Sequence, residues 1–343
     1  MSLKHILTYL CATLLLLAFT VQVSGQIGGA NYIYNKGASI TIPKDVSLYI
    51  KDGQYRHDEL NGGNALIGIT GELSADSGLI FNITNNVNGH KLFKFPVGAK
   101  FGTVKFSGGE IGGNSIPVFG TVQLNSTNRL KLNTNIGVYR NFDLTMGSVN
   151  LNAKQVSLYE NSARGLFTGE INYESETNYI FDNAGAGSVS IEIKDPFDKL
   201  SYPNGNANTT FGNVGAVVNT IDVNHDIVIS RVYGVQNPDK SFNKYFLIEP
   251  AGTITDPKLT LNYFNRDKPA SSTPANYRIF RAATDANTNY TPAITAVDAG
   301  LKKVETTKAD ITGVAQRYVI GECPTEPTVD LEKKYSICTN DKP

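Results

Sequence analysis

The chain has 343 residues, and its 31 Lys and Arg are balanced by 31 Asp and Glu, so the formal net charge is zero. This neutrality argues against a nucleic acid or an anionic membrane surface as the partner, because both are bound by clustered Lys and Arg. A hydrophobic fraction of 41 % excludes intrinsic disorder. The 32 Gly, 17 Tyr and 16 Phe, with only two Met, favour strands and turns over helices. We therefore predict an all-β protein.

Residues 1–25 predict a signal peptide. Lys4 precedes an uncharged apolar stretch from Leu7 to Val23, and short residues lead up to a cleavage point after Gly25. The alternative is a transmembrane anchor, but the stretch is short for a membrane span and no basic cluster follows it. We expect the chain to be exported, to reside outside the cell or on the outer cell surface, and to leave the membrane once matured.

A repeated pattern in the first half predicts a parallel β-helix, or β-solenoid, over residues 26–195. Its clearest part is a series of alternating apolar doublets: Val122/Leu124, Leu130/Leu132, Ile136/Val138, Phe142/Leu144, Val149/Leu151 and Val156/Leu158. Each doublet has its counterpart three doublets later in the chain, so that Val122 corresponds to Phe142, Leu130 to Val149 and Ile136 to Val156. Three short strands in a period of about 20 residues are typical of a solenoid coil. An antiparallel meander with tight hairpins is the alternative.

The second half, residues 196–322, predicts an antiparallel β-sandwich. Longer alternating runs such as Asp226–Val232, Lys244–Ile248 and Tyr277–Ala282 are separated by turns rich in Pro, Asn and Asp. The change of pattern near residues 195–205 indicates a domain boundary. We thus expect two all-β domains, a solenoid followed by a sandwich.

Residues 323–343 form a linker and the start of a further domain. Cys323 and Cys338 are the cysteines of the mature chain, and both lie in this segment, so the body has no internal disulfide framework. Whether these two cysteines pair with each other stays open. The last residues look like a strand without a partner, which either packs back on the sandwich or begins another domain.

Several stretches together resemble a known class of protein. They are LNSTNRLKLNTNIGVYRNFDLTMGSVNLNAKQVSLYE in the solenoid, and FGNVGAVV, IVISRVYG, NKYFLIEP, LTLNYFN and YRIFRAA in the sandwich. They resemble the N-terminal region of large secreted cell-surface proteins of Bacteroidetes. The resemblance implies export, often by type IX secretion, and attachment or release at the cell surface. The tail VDLEKKYSICTND is similar to the start of an immunoglobulin-like repeat.

The carboxylates and aromatic residues that could act on sugars lie mainly in the loosely spaced stretch 169–177. Glu170, Glu174 and Glu176 cluster there, and Glu174 and Glu176 are expected to share one strand face; glycosidases need two such carboxylates. Tyr173 and Tyr179 flank the cluster and could stack on a sugar or simply pack in a sheet. The regular coils hold an isolated Asp143.

Metal and cofactor sites are not predicted. The histidines of the mature chain, His57, His90 and His225, are far apart in sequence and lack a second ligand at metal-binding spacing. The segments Asp222–Asp226 and Asp285–Asn289 carry oxygens at alternate positions, as calcium prefers, but lack the Gly and Glu of an EF-hand loop. We interpret both segments as turns.

The sequence therefore predicts a non-enzymatic, adhesin-like structural module that spaces or presents further domains of the same polypeptide. Its expected ligand is an extracellular glycan or another surface ligand. No catalytic residue is assigned. The alternative is a carbohydrate-active or carbohydrate-binding β-helix protein, with Glu170, Glu174 or Glu176 as candidate acids.

Overall fold

The computed structural model describes the backbone of seven strands between residues 31 and 84. It describes backbone and side chains in 103–113, 116–159, 169–193, 211–219, 226–234, 242–254, 256–269, 271–284, 290–293, 295–306, 309 and 311–323. Within these ranges the regular structure is strand, interrupted by short 3-10 turns at Phe211–Asn213, Asn265–Asp267 and Pro274–Asn276. The predicted all-β class is confirmed.

The strands before residue 194 are β1 (Asn31–Lys36), β2 (Ile40–Ile42), β3 (Ser47–Ile50), β4 (Gly53–Asp58), β5 (Ile67–Ile69), β6 (Glu72–Ala75), β7 (Ile80–Thr84), β8 (Thr103–Phe106), β9 (Gly109–Gly113), β10 (Val118–Asn125), β11 (Leu130–Leu132), β12 (Ile136–Met146), β13 (Ser148–Asn150), β14 (Gln155–Tyr159), β15 (Glu170–Asn172), β16 (Tyr179–Phe181) and β17 (Ser188–Ile193). Every pairing among these strands is parallel. One sheet has the order β1-β4-β7-β9-β11-β13-β16, and a second contains the path β3-β6-β8-β10-β12-β14-β17, with β15 also paired to β12.

The apolar spacing read from the sequence recurs as strand register. Val122 is the register partner of Phe142, Leu130 of Val149, and Ile136 of Val156. All six side chains are fully buried. Since successive strands are parallel and in register, each apolar residue lies directly beside its counterpart in the next repeat, and the core extends along the stack.

The later strands are β18 (Ala216–Asn219), β19 (Ile227–Tyr233), β20 (Lys244–Pro250), β21 (Lys258–Asn262), β22 (Tyr277–Ala282), β23 (Tyr290–Pro292), β24 (Thr295–Asp298), β25 (Lys303–Thr306) and β26 (Gln316–Glu322). All of their pairings are antiparallel. They form one sheet path β23-β22-β26-β20-β19 and a separate sheet β18-β21-β25-β24.

The parallel and antiparallel parts share one sheet. Strand β17, the last parallel strand, pairs antiparallel with β19 from Ser188↔Val232 to Ile193↔Ile227. The main hydrophobic core also runs through both parts, from Val104 to Ile320. Hydrogen bonds and apolar packing therefore continue across the domain boundary that the sequence predicts near residues 195–205.

An edge-to-face aromatic group adds to the core of the antiparallel part. The rings of Phe242, Tyr263 and Tyr277 lie 5.1–5.6 Å apart, at nearly right angles to one another. On the other face of β22 and β26, a smaller buried group contains Phe280 and Val319. In the part of the chain that the structure describes, no helix is long and apolar enough to cross a membrane.

Tight turns between parallel strands depend on glycine at particular positions. Gly147, between β12 and β13, has φ +86°, and a Cβ there would lie 2.9 Å from the carbonyl oxygen of Asn128 and closer still to that of Ser126. Gly185, between β16 and β17, has φ +74° but faces open space. Both positions favour glycine, and only Gly147 is also confined by its neighbours.

We predict that Gly147→Ala destabilises the chain more than Gly185→Ala. The Gly185 variant bears only the conformational cost of a positive φ, about 1 kcal/mol, whereas Gly147→Ala must also displace backbone of the preceding turn. Urea unfolding of both full-length variants measures the difference. Equal losses would contradict the close approach at Gly147.

Candidate functional site

The carboxylates predicted as candidate acids lie where the parallel strands end. Glu170 is on β15, whereas Glu174 and Glu176 are in the turn between β15 and β16. The prediction that Glu174 and Glu176 share a strand face is wrong. The strand ends at Asn172, because Tyr173 adopts φ +62° and turns the chain away.

Glu174 forms a buried ion pair with an arginine from the antiparallel part. Nη1 of Arg231, on β19, lies 2.8 Å from Oε2 of Glu174, and the side chains are 1 % and 8 % exposed. Nη2 of Arg266 lies 3.3 Å from Oε1. Nε and Nη2 of Arg231 have no hydrogen-bond partner in the described part of the chain. Glu174 is therefore the main counter-charge of the buried Arg231 guanidinium.

A second ion pair lies next to the first. Nζ of Lys244, on β20, is 2.6 Å from Oδ2 of Asp267, and Nε of Arg266 is 3.8 Å from Oδ1. Burial lowers the pKa of Lys244, although the charge of Asp267 opposes this shift. Burial alone would raise the pKa of Asp267, but Lys244 and its neighbours lower it overall. We call Glu174, Arg231, Lys244, Arg266 and Asp267 the junction cluster.

Arg266 connects the two halves of the junction cluster. Its guanidinium carbon lies 4.3 Å from the ring centre of Tyr179 and 4.0 Å from that of Phe264, so the cation is held between two aromatic rings. It also donates a hydrogen bond to the carbonyl oxygen of Ser175. Tyr179, predicted either to stack on a sugar or to pack in the sheet, here stacks on this arginine.

Glu176 ties the same turn to two further segments. It accepts hydrogen bonds from the backbone N–H groups of Asn265 at 2.9 Å and Arg266 at 3.4 Å, and it forms an ion pair with Lys302. Partial burial alone would raise the pKa of Glu176, but these hydrogen bonds and the Lys302 charge lower it overall. Glu176 thus acts as a clasp between the β15–β16 turn and the antiparallel part.

Side chains take the place of a further strand at the end of the parallel stack. The backbone N–H of Ile180, on β16, donates a hydrogen bond to the Glu174 carboxylate at 3.3 Å. The Ile180 carbonyl oxygen accepts a hydrogen bond from the Tyr233 hydroxyl at 2.9 Å. On β15, the Ile171 carbonyl oxygen accepts a hydrogen bond from Nδ2 of Asn213 at 3.1 Å. These contacts satisfy backbone groups that would otherwise need another strand or water.

A left-handed turn fills the apolar end of the stack. Phe211, Gly212 and Asn213 all have positive φ, between +48° and +62°. Phe211 is fully buried, and a Cβ at Gly212 would lie 2.8 Å from Cδ1 of Ile191. The turn therefore covers the apolar end of the stack and carries Asn213 to its hydrogen bond on β15.

Asp143 is not isolated in the folded chain. It is the register partner of Gln123 on β10 and of Asn172 on β15, and Nδ2 of Asn172 donates to it at 2.9 Å. Burial raises the pKa of Asp143, while the Asn172 hydrogen bond and the charge of Arg140 act in the opposite direction. The sequence did not reveal this contact because the two residues are 29 positions apart.

The remaining predicted site residues give little further chemistry. His57 is on β4, where only the backbone is described, while His90, His225 and the segments 222–225 and 285–289 lie outside the described residues. Within the described residues, no group of three His, Cys, Asp or Glu could hold a metal. Cys323 is disulfide-bonded.

The buried cations of the junction cluster leave a signal in the sequence that site motifs alone do not reveal. In β19 the inward positions alternate as Ile227, Ile229, Arg231 and Tyr233, and β20 begins its inward series with Lys244. A charged residue at an inward position of an alternating strand requires a buried partner. The pattern identifies the cation but not its partner, because Glu174 is 57 residues away.

Comparison of the chain with protein-family profiles, curated protein sequences and solved structures found no significant match.

We predict that Glu174→Gln lowers the free energy of unfolding by about 3 kcal/mol, because it leaves Arg231 buried without its paired carboxylate. The double variant Glu174→Gln/Arg231→Met should recover part of this loss, since it removes the orphaned cation. Glu305→Gln, at an exposed residue, is the control and should change stability by less than about 0.5 kcal/mol. Urea unfolding that finds Glu174→Gln and Glu305→Gln equally stable would contradict the structural role of the pair.

The lowered pKa of Glu176 predicts that its contribution to the stability of the folded chain depends on pH. A carboxylate with a lowered folded-state pKa contributes stability above its ordinary value of 4.5 and loses that contribution as the pH falls through the folded-state value. Glu176→Gln should therefore be less stable than the unmodified chain at pH 7, and the difference should shrink in acid. Thermal unfolding between pH 3 and pH 7 measures it; a difference that is constant with pH would refute the assignment.

Proposed function

We propose that the protein is a secreted or cell-surface structural module, adhesin-like in its use, that spaces and presents further domains of its own polypeptide. In this proposal residues 26–195 form a parallel β-helix and residues 196–322 a β-sandwich. The signal-peptide pattern of residues 1–25 supports export, and the resemblance to Bacteroidetes surface proteins supports the cell-surface setting and the type IX route.

The observation that carries the proposal is the continuous connection between the parallel and antiparallel parts. Strands β17 and β19 join them in one sheet, and the junction cluster with the Glu176 clasp joins them again through ion pairs. A spacer must transmit force without bending at its joints. Two independent sets of contacts at the joint are suited to that task.

The alternative, a carbohydrate-active protein, loses two of its three candidate acids. A general acid needs a proton that it can deliver to the substrate, whereas Glu174 faces two guanidinium groups and Glu176 faces Lys302 and two backbone N–H groups. Glu170 is outside the junction cluster. The engagement of Glu174 and Glu176 favours the non-enzymatic interpretation.

A pulling experiment tests the spacer role. We expect the full chain, held at its two ends in a single-molecule force measurement, to unfold its parallel and antiparallel parts in one cooperative event. Because Glu174→Gln weakens the joint, that variant should separate the event into two, while the Glu305→Gln control should not. Two separate events in the unmodified chain would overturn the proposal.

An activity assay tests the alternative with a residue outside the junction cluster. The full chain should release no reducing ends or unsaturated products from a panel of neutral and acidic polysaccharides. Glu170→Gln is the diagnostic variant, since it leaves the ion pairs of the junction cluster intact. Cleavage by the unmodified chain that disappears in Glu170→Gln would establish an enzyme and refute the non-enzymatic function.

A further inference from the structure

The outward face of β10, β12 and β15 carries a row of polar side chains. Gln123, Asp143 and Asn172 are register partners on these neighbouring strands, so they lie side by side at the strand spacing of about 4.8 Å. Their inward neighbours Phe142 and Ile171 are buried, so the row faces away from the core. All three members of the row are only partly buried.

Part of the hydrogen-bonding capacity of this face is unused. Asn172 donates to Asp143, which fixes the orientation of the Asn172 amide. Within the part of the chain that the structure describes, the side-chain amides of Gln123 and Asn141 make no hydrogen bond. Asn141 lies on the same face of β12 as Asp143, two residues before it. The face therefore combines a fixed carboxylate–amide pair with free amide donors and acceptors.

Tyr173 follows Asn172 at the start of the turn that carries Glu174, and the left-handed conformation of this turn does not require an aromatic side chain. Extending the β12–β15 register by one residue would place Tyr173 beside Leu144, which is fully buried. Instead its φ of +62° ends the strand, and its side chain is 67 % exposed. A left-handed conformation costs a residue other than Gly roughly 1–2 kcal/mol, and the exposed ring recovers little of that by burial.

We propose that this face, formed by Gln123, Asn141, Asp143 and Asn172 together with the adjacent exposed Tyr173, is a binding site for a neutral polysaccharide. A sugar ring would stack on the exposed Tyr173, and sugar hydroxyls would hydrogen-bond to the amides and to the Asp143 carboxylate. Flat aromatic surfaces with a few oriented polar groups suit this kind of ligand.

The face carries charges of both signs, which suits a neutral saccharide better than an acidic one. Asp143 is in the row, and Glu170 is the register partner of Asn141. Lys105, on β8, is the register partner of Gln123, and the charge of Arg140 acts on Asp143. Because these cations are matched by the carboxylates, the face offers no excess positive charge to uronic acids or sulfated sugars. The site adds a ligand to the spacer role and does not depend on it, because its residues are outside the junction cluster.

Tyr173→Asn separates a binding role from a structural one. Asn adopts positive φ more readily than Tyr, so the full-length variant should be at least as thermostable as the unmodified chain while its affinity for the ligand falls at least tenfold. Asn141→Ala should also weaken binding, by a smaller factor. Val314→Asn, which changes another exposed apolar residue just before β26, is the matched control and should bind normally.

The measurement is affinity electrophoresis of the full chain in gels containing a neutral β-glucan, a mannan, a xylan, polygalacturonate or alginate, followed by calorimetry with an oligosaccharide of the best binder. Retardation by a neutral polysaccharide that Tyr173→Asn abolishes and Val314→Asn retains supports the proposal. Each of three results overturns it: no retardation by any neutral polymer, retardation by acidic polymers alone, or retardation that Tyr173→Asn leaves intact. A loss of thermostability in Tyr173→Asn would show that the tyrosine serves folding, and would overturn it as well.

Discussion

In-register parallel stacking is the constraint on which the rest of this structure depends. Because the strands before residue 194 pair in parallel, a residue at one level has its counterpart beside it in the next repeat, as Val104, Val122 and Phe142 do. Buried apolar residues must then stack on buried apolar residues, and outward polar residues on outward polar residues. The same rule that builds the core also aligns Gln123, Asp143 and Asn172 in a polar row.

A stack of this kind must also end. Strands β15 and β16 lie at the end of the stack, and within the described residues no further strand pairs with them, so they present backbone groups and apolar side chains. The chain covers them with unlike parts: the Tyr233 hydroxyl, the Glu174 carboxylate and the Asn213 amide for the backbone, and Phe211 for the apolar end. Tyr233 and Arg231 come from β19, the antiparallel strand that pairs with β17. The same strand therefore covers the end of the parallel stack and begins the antiparallel sheet. Unprotected sheet edges invite pairing with other chains, and these side chains protect the edges of β15 and β16.

The junction cluster contains buried charges, although the chain as a whole has no net charge. Three cations and two carboxylates are brought into a largely dry interior, where each charge requires a partner. The buried Arg231–Glu174 pair holds the two parts together, and the buried Lys244–Asp267 pair lies beside it. Glu174 and Glu176, two of the carboxylates that most resembled catalytic acids in the sequence, are thus engaged as structural counter-charges.

The sequence by itself determined the all-β class, the positions of most strands and the pairs of residues that stack, because alternation and a regular repeat are local properties that can be counted along the chain. Its alternation also marks Arg231 and Lys244 as inward-facing charges. Only the tertiary structure decided their partners, since Glu174 and Asp267 come from turns whose positions depend on how two sheets meet. The exposure of Tyr173 and the contact between Asp143 and Asn172 were likewise decided in three dimensions, because a single positive φ ends β15 one residue before the alternation in the sequence would end it.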